Sequence, residues 1–451
     1  MALIDSFQIH LAEKFPFLKG KRLLLGISGG VDSVVLCHLL NLAEMDFGLA
    51  HCNFQLRGED SDRDARFVQE LAERYNRILH LKRFQTESIA RQRKGSMQMV
   101  ARELRYAWFR ELLSENEYDF LVTAHHLDDS LETFLINLSR GTGIDGLLGI
   151  PEHKDEIVRP LLPFTKKQIL SFALDCDLSW REDQTNLESK YLRNKIRNEI
   201  VPVMLQLHPD FMASFATTLG NLKATRQILA DRLALLTTEI SEPCVDQGTD
   251  CLRFDISKIR ELTPAAAYVY EIFRPYGFSQ WQDILSILDA QTGKQVLSSS
   301  HRLIKHGGHL LLARLPDQAD LNSSYLIGAG QTELKGKGIS LRIRSVESSS
   351  LTADTLKKPG VGTAFFDADL LQYPLLVRKK KKGDYFYPKG MAGKKKLSDF
   401  FTDEKLSVLQ KENIWLLCSG DSVLWLIGKR TDERFKVTER TKHILEVATD
   451  L

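Results

Sequence analysis

A glycine pair between two apolar segments of different period constrains this chain most. RLLLGIS, residues 22–28, is a short apolar run with no helical gap and reads as a buried strand. VDSVVLCHLLNLAE, residues 31–44, follows as a helix. Ser28, Gly29, Gly30, Val31, Asp32 and Ser33 therefore occupy a strand-to-helix turn. Glycines there let the backbone turn tightly and approach a phosphate without a Cβ clash. Amides at the helix start, with the helix dipole, favour an anion. Ser28 and Ser33 add hydroxyl donors, and Asp32 facing a phosphate calls for a magnesium ion between them. The bland alternative is a Gly-Gly turn that binds nothing. A bare SGG would deserve that reading; the full hexad in this location is more specific.

The segments that follow set the fold class. Residues 47–53, 77–84 and 119–126 read as further strands, and 61–76, 96–116, 127–140 and 159–178 as helices. Such alternation predicts an α/β domain with a mostly parallel sheet covered on both faces. A helix over 191–207 meets Pro202 and must kink or stop there. From 212 to 290 the pattern turns helical, and 295–315 reads as a hairpin about Gly307-Gly308. With 451 residues the chain exceeds one core. The expected division is a catalytic domain at 1–212, a mainly helical middle domain at 213–316, a linker or small β region at 317–372, and a small α+β C-terminal domain at 373–451.

The net charge of +2 announces no nucleic-acid partner, but the charge is uneven. Arg378, Lys379, Lys380, Lys381, Lys382, Lys389, Lys394, Lys395 and Lys396 face only Asp384 in their segment, with Tyr385, Phe386, Tyr387, Phe400 and Phe401 among or beside them. A solvated loop and a nucleic-acid surface are about equally good readings. The six cysteines show no CxxC spacing and read as reduced thiols. No signal peptide and no apolar stretch long enough to span a membrane is seen, so a cytoplasmic location is expected.

The SGGVDS hexad resembles the pyrophosphatase-type PP-loop of enzymes that cleave ATP to AMP and pyrophosphate, unlike the GxxxxGK[ST] loop with its phosphate-reaching lysine. His51-Cys52-Asn53-Phe54-Gln55-Leu56-Arg57-Gly58, Ala101-Arg102-Glu103-Leu104-Arg105-Tyr106, the run Thr123 to Thr133, Trp180-Arg181-Glu182-Asp183 with Asn186, and Tyr191 to Arg197 then follow in the order of the bacterial tRNA(Ile)-lysidine synthetase family. The first departs from that family's AHxNHxLR pattern at Cys52 and Phe54 and lacks its second histidine. The segments 383–401 and 434–442 resemble the family's C-terminal tRNA-binding domain.

The resemblance implies ligation of lysine to C2 of the wobble cytidine of tRNA(Ile) with a CAU anticodon, through an adenylated base. Its ligands would be ATP, Mg2+, free L-lysine and that tRNA; a homodimer stays open. It implies ATP contacts from Ser28 through Ser33 and from His51. Catalytic roles would fall to Asp32, Arg105, His125, Asp129 and Glu132. Asp129 and Glu132 lie three apart on one helix face, where they would hold lysine or, on the blander reading, cap the helix. Contacts to tRNA would come from Arg57, Arg102, Arg193, Asn194, Arg197, Lys394, Lys395 and Lys396. For Arg193 and Arg197 the bland reading is a salt bridge to Glu188 or Glu199. Two other functions remain to be weighed: a tRNA thiolase of the same superfamily, which needs catalytic cysteines or an iron–sulfur cluster, and a non-catalytic tRNA-binding protein.

Overall fold

A strand with no polar face needs cover on both sides, and the first strand finds it. The computed structural model describes residues 3–56, 58–93, 96–182, 192–246, 248–317, 320, 322–350, 355–356, 360, 362–391 and 393–449. These form two units, Met1–Ala230 and Asp231–Leu451.

In the first unit the strands are β1 (Arg22–Gly26), β2 (Asp46–Asn53), β3 (Leu79–Arg83), β4 (Phe120–Val122), β5 (His153–Lys154) and β6 (Ile157–Val158). They lie in the order β3-β2-β1-β4-β6-β5, parallel except for β5. The helices are α1 (Leu3–Lys14), α2 (Val31–Leu42), α3 (Glu59–Arg74), α4 (Thr86–Arg93), α5 (Met97–Glu115), α6 (Leu127–Ser139) and α7 (Lys166–Asp175). Leu23 and Leu25 pack into one core with residues of α1, α2 and α7, whereas Leu24 packs into a second with Trp108 and Phe109 of α5. Alternation along β1 thus feeds both layers. The strand order runs outward in both directions from β1, so its C-terminal end is a topological switch point, where sheets of this type present ligand sites.

Two expectations change here. The helix expected over 159–178 is confined to α7, because Pro160 and Pro163 keep 159–164 out of it and Thr165 and Gln168 form a capping box at its start. The segment around Pro202 divides into α8 (Leu192–Lys195), a π-helical turn (Ile196–Ile200) and α9 (Val201–Leu207). The missing amide of Pro202 is tolerated at the start of the new helix.

α10 (Phe211–Ile240) continues the helical reading, but the sequence beyond it is mixed rather than mainly helical. α11 (Ile256–Glu261), α12 (Ala265–Phe273) and α13 (Trp281–Ile287) accompany β7 (Ser241–Asp246), β8 (Thr249–Asp255), β9 (Gln295–Leu297), β10 (His301–His306) and β11 (His309–Arg314). These strands form one sheet in the order β7-β8-β11-β10-β9, with the expected hairpin turning at Gly307-Gly308. Cys244 and Cys251 face each other across β7 and β8 and form a disulfide, with Cα atoms 5.1 Å apart. The reduced-thiol reading is therefore corrected for this pair; Cys37, Cys52, Cys176 and Cys418 are free.

The stretch 317–372 is not a linker. Its strands β12 (Ser324–Ile327), β13 (Glu333–Gly336), β14 (Ile339–Glu347) and β15 (Thr363–Asp367) join β16 (Leu375–Lys379), β17 (Tyr385–Phe386), β18 (Lys395–Lys396), β19 (Trp415–Ser419), β20 (Ser422–Leu426) and β21 (His443–Thr449). Two four-stranded sheets result, β12-β16-β19-β20 and β13-β14-β21-β15, with the β17-β18 ribbon beside them. Ile327, Leu341 and Phe366 share a single core with Val377, Leu417 and Val447. α14 (Leu397–Asp403) and α15 (Val408–Asn413) complete the region, and Leu409 of α15 packs among Ile304, Leu311 and Ala313.

Candidate active site

The turn after β1 is held open by its own side chains. Gly29 has φ +90°, a conformation that disfavours any Cβ. Gly30 stands at the N-cap of α2, and no side chain caps that first turn. The Ser33 hydroxyl donates to the Gly30 carbonyl at 2.9 Å, and the Gly30 amide donates to Ser28 Oγ at 3.3 Å. An uncapped first turn with two serine hydroxyls is a ready anion cradle. It opens on a cavity of about 740 Å³.

Ser28, Gly30, Val31, Asp32, Ser33, Arg102, Arg105, His125, Asp129 and Arg197 all line that cavity. Residues expected from four separate segments thus meet at the switch point. Arg105 lies with its guanidinium 5.2 Å from the Phe54 ring centroid, and Arg102 4.8 Å from that of Tyr106. Ring stacking of this kind fixes a guanidinium while its N–H groups stay available.

His51 takes a different place. Side chains alternate along β2, so Ala50 and Cys52 line the cavity and His51 does not. Its Nδ1 donates to the Ile27 carbonyl at 2.9 Å, tying β2 to the loop strand. Burial holds this imidazole below its ordinary pKa. Arg57 lies outside the described residues, as do Asp183, Asn186, Glu188 and Tyr191. Asn194 sits half-buried in α8.

The acidic helix start does two jobs. Asp129 Oδ2 accepts the His126 amide at 3.0 Å, which is the capping interaction weighed above. Its Oδ1 accepts from Arg193 Nη2 at 3.0 Å. Glu132, only 2% exposed, accepts from Arg193 Nε at 2.7 Å and from Arg197 Nε at 2.5 Å. Arg193 and Arg197, four apart across the π-helical turn, therefore converge on two carboxylates rather than on Glu199, the salt bridge expected within their own segment. For Asp129, burial opposes ionisation, but the charges of His126 and Arg193 outweigh it and its pKa falls.

The two histidines are driven apart. Burial pushes His125 down to about 4, so it is neutral at physiological pH, and it shares a hydrogen bond with Thr123 Oγ1 at 3.0 Å. His126 is the more deeply buried of the two, yet Asp128, Asp129 and Asp32 outweigh burial and raise it.

Several site residues were missed in the sequence. Lys166 Nζ donates to both oxygens of Asp32, at 2.7 and 2.8 Å, so a lysine does reach this loop, from the start of α7. The Lys166 amide donates to Asp128 Oδ2 at 2.8 Å, joining the starts of α6 and α7. Arg181 donates its backbone amide to the Gly29 carbonyl at 2.9 Å and its Nε to Asp64 at 3.1 Å. The capping box at Thr165 and Gln168 marks a helix start in the sequence, but nothing there links it to Asp32.

Among the described residues no group of three His, Cys, Asp or Glu side chains is placed to hold a metal ion. Asp32 is a single carboxylate beside the anion cradle. That fits a magnesium ion, which is commonly held by one or two carboxylates together with substrate phosphates.

The C-terminal cations divide by environment. Arg378 is buried and forms a two-pronged pair with Asp384 at 2.7 and 2.9 Å. Lys379 turns inward over Trp415, 4.1 Å from its ring centroid, and burial lowers it to about 8. Lys395 pairs with Asp403. Lys380, Lys381, Lys382, Lys389, Lys394 and Lys396 are exposed, and Lys394 lies 4.8 Å from the Tyr385 ring centroid.

A parallel sheet with this uncapped loop at its switch point defines a PP-loop, ATP-using enzyme, and the PP-loop domain family matches residues 4–204. Two further families match along the chain, the TilS substrate binding domain at 247–315 and the TilS substrate C-terminal domain at 375–447. The tRNA(Ile)-lysidine synthase of Bacteroides thetaiotaomicron is 38% identical over 97% of each chain. That of Parabacteroides distasonis is 37% identical over 99% of each. That of Porphyromonas gingivalis strain W83 is 34% identical over 97% of this chain and 96% of its own. The chain belongs to the tRNA(Ile)-lysidine synthase family.

Proposed function

We propose that this protein joins L-lysine to C2 of the wobble cytidine in the CAU anticodon of tRNA(Ile), cleaving ATP to AMP and pyrophosphate. The observation that carries the reading is the meeting at one cavity of an anion cradle, two arginines beside aromatic rings, and Asp129, which shares Arg193 and Arg197 with the buried Glu132 behind it. The cradle suits the phosphates of ATP. Arg102 and Arg105 suit the charge that develops as the cytidine O2 attacks the α-phosphorus and pyrophosphate departs. Lysine attacks C2 through its ε-amine, and AMP leaves with the oxygen. Asp129 and Glu132 suit the ammonium of incoming lysine, with Arg193 and Arg197 as the cations they hold in the free protein. A magnesium ion at Asp32 would supply neutralising charge to the phosphates.

His125 fits an uncharged hydrogen-bonding role better than that of the base that deprotonates lysine. A free lysine ammonium titrates near 10.4, so an imidazole at about 4 is a poor acceptor for its proton. The thiolase reading loses support from the cysteines. Cys52 lies on the cavity wall, but burial pushes its thiol up to about 12, which leaves no thiolate for sulfur transfer. Among the described residues no helix is long and apolar enough to cross a membrane, and a cytoplasmic site of action accords with tRNA as substrate.

The test is incubation with ATP, labelled lysine and tRNA(Ile), followed by nucleoside analysis. A lysine-bearing cytidine derivative with equal AMP and pyrophosphate is expected. AMP release without lysine incorporation would overturn the reading.

The exposed C-terminal lysines are assigned to tRNA phosphates away from the reacting base. Replacing Lys394 and Lys396 with Ala, while leaving Lys395 on Asp403, removes two exposed cations. Each phosphate contact contributes a log–log salt slope of roughly 0.7 to 0.9, so the slope of tRNA affinity against salt is expected to flatten by about 1.4 to 1.8. ATP affinity should not change. Superimposable tRNA titrations for the two proteins across a salt series would remove these lysines from the interface.

A further inference from the structure

Lys166 has no role in the scheme above, yet its ammonium sits on the carboxylate nearest the phosphate cradle. It holds both Asp32 oxygens, at 2.7 and 2.8 Å, and lines the cavity. Its backbone is pinned, because its amide is bound to Asp128 and it begins α7 directly after the Thr165 cap. Its side chain is not pinned to the same degree, being 41% exposed against 28% for Asp32. A partly exposed pair of this kind is held weakly. The four-carbon stem lets the ammonium pivot about its fixed backbone, and it carries three donors, of which Asp32 takes two. Phosphate oxygens entering the cradle between Ser28 and Ser33 would present more negative charge to it than Asp32 does.

We propose that Lys166 is a phosphate-binding residue of the adenylation step: it neutralises Asp32 before nucleotide arrives and then moves to the pyrophosphate half of ATP. This rests on the ATP-cleaving reading given above. In that step a bond forms between the cytidine O2 and the α-phosphorus, and the bond from that phosphorus to the bridging oxygen breaks. The electron pair leaves with pyrophosphate, whose growing charge the ammonium balances with no proton transfer.

Equilibrium titrations of the full chain with inorganic pyrophosphate and with AMP, each with magnesium and without tRNA, test this. Lys166→Ala should weaken pyrophosphate binding by about tenfold or more and leave AMP within about twofold, since AMP lacks the leaving phosphates. Lys166→Arg should restore most of the loss. Lys166→Gln, which keeps much of the stem without the charge, serves if the alanine variant does not fold. Equal losses for AMP and pyrophosphate, or no loss for either, would overturn the role and leave a structural partner of Asp32. Failure of the unaltered protein to bind pyrophosphate or ATP would instead remove the ATP-cleaving reading, and this proposal with it.

Discussion

Asp32→Asn is expected to slow pyrophosphate release by about a hundredfold to a thousandfold, the range seen when one preorganised electrostatic contact to a transition state is lost. The substitution keeps the size of the side chain and removes its charge. Asp32 lies in the first turn of α2 beside the cradle, so the loop geometry set by Ser28, Gly30 and Ser33 should persist. What disappears is the anionic oxygen available to a magnesium ion, along with the partner of Lys166. Affinity for tRNA should hardly change, because the exposed lysines assigned to it belong to the C-terminal region. Single-turnover release of labelled pyrophosphate, with tRNA binding measured in parallel, checks both halves. Normal turnover would take Asp32 out of the reaction.

The second large effect is expected at Glu132. Glu132→Ala should still allow the base to be adenylated but raise the lysine concentration for half-maximal ligation by roughly tenfold to a hundredfold, the worth of one charge-assisted hydrogen bond. Glu132 is nearly inaccessible and receives both Arg193 and Arg197. Removing it leaves two guanidinium groups with Asp129 alone, and breaking a buried pair in this way costs about 3–5 kcal/mol at most. A melting curve must therefore accompany the kinetics. Glu132→Gln separates the causes, since it keeps the shape and some hydrogen bonds while losing the charge. If lysine dependence is unchanged in a folded Gln variant, the carboxylate serves the arginines and not the substrate.

Much of the first unit was legible because its signals are local. The apolar run at Leu23, Leu24 and Leu25, the Gly29-Gly30 break and the helical spacing after it lie within a few residues of one another. The alternating segments that follow leave few arrangements other than a covered parallel sheet. The cavity-lining Arg102, Arg105, His125 and Asp129 were found by resemblance, and their convergence is a property of the fold. Lys166 was not found, since its partner lies 134 residues away and a lysine at a helix start normally signifies nothing. His51 was placed at the nucleotide from a motif, whereas the two-residue period of β2 turns its ring away from the cavity.

The misreadings beyond residue 212 have one cause. β7 and β8 are short, half-exposed strands whose pairing with each other and with β11 supplies most of their reason to exist. The Ser- and Gly-rich stretch before residue 373 left a linker and a small β region as open alternatives, because β12, β14 and β15 find partners beyond it. Leu341 is opposite Thr449, and Phe366 opposite Leu445. Composition reports nothing about a partner that distant.

That pairing also orders events during synthesis. The sheet of the first unit has all its strands once residue 158 has been made, so it can begin to form while the rest of the chain is still being translated. The sheet built on β14 cannot close until β21 appears roughly a hundred residues later, and loop closure over such a length delays the contacts that reward it. In the interval Leu341, Ile343, Ala364 and Phe366 belong to strands with an open edge, the condition in which nascent chains associate wrongly. A growing chain of this protein would thus carry a folded nucleotide domain well before its C-terminal sheet could close.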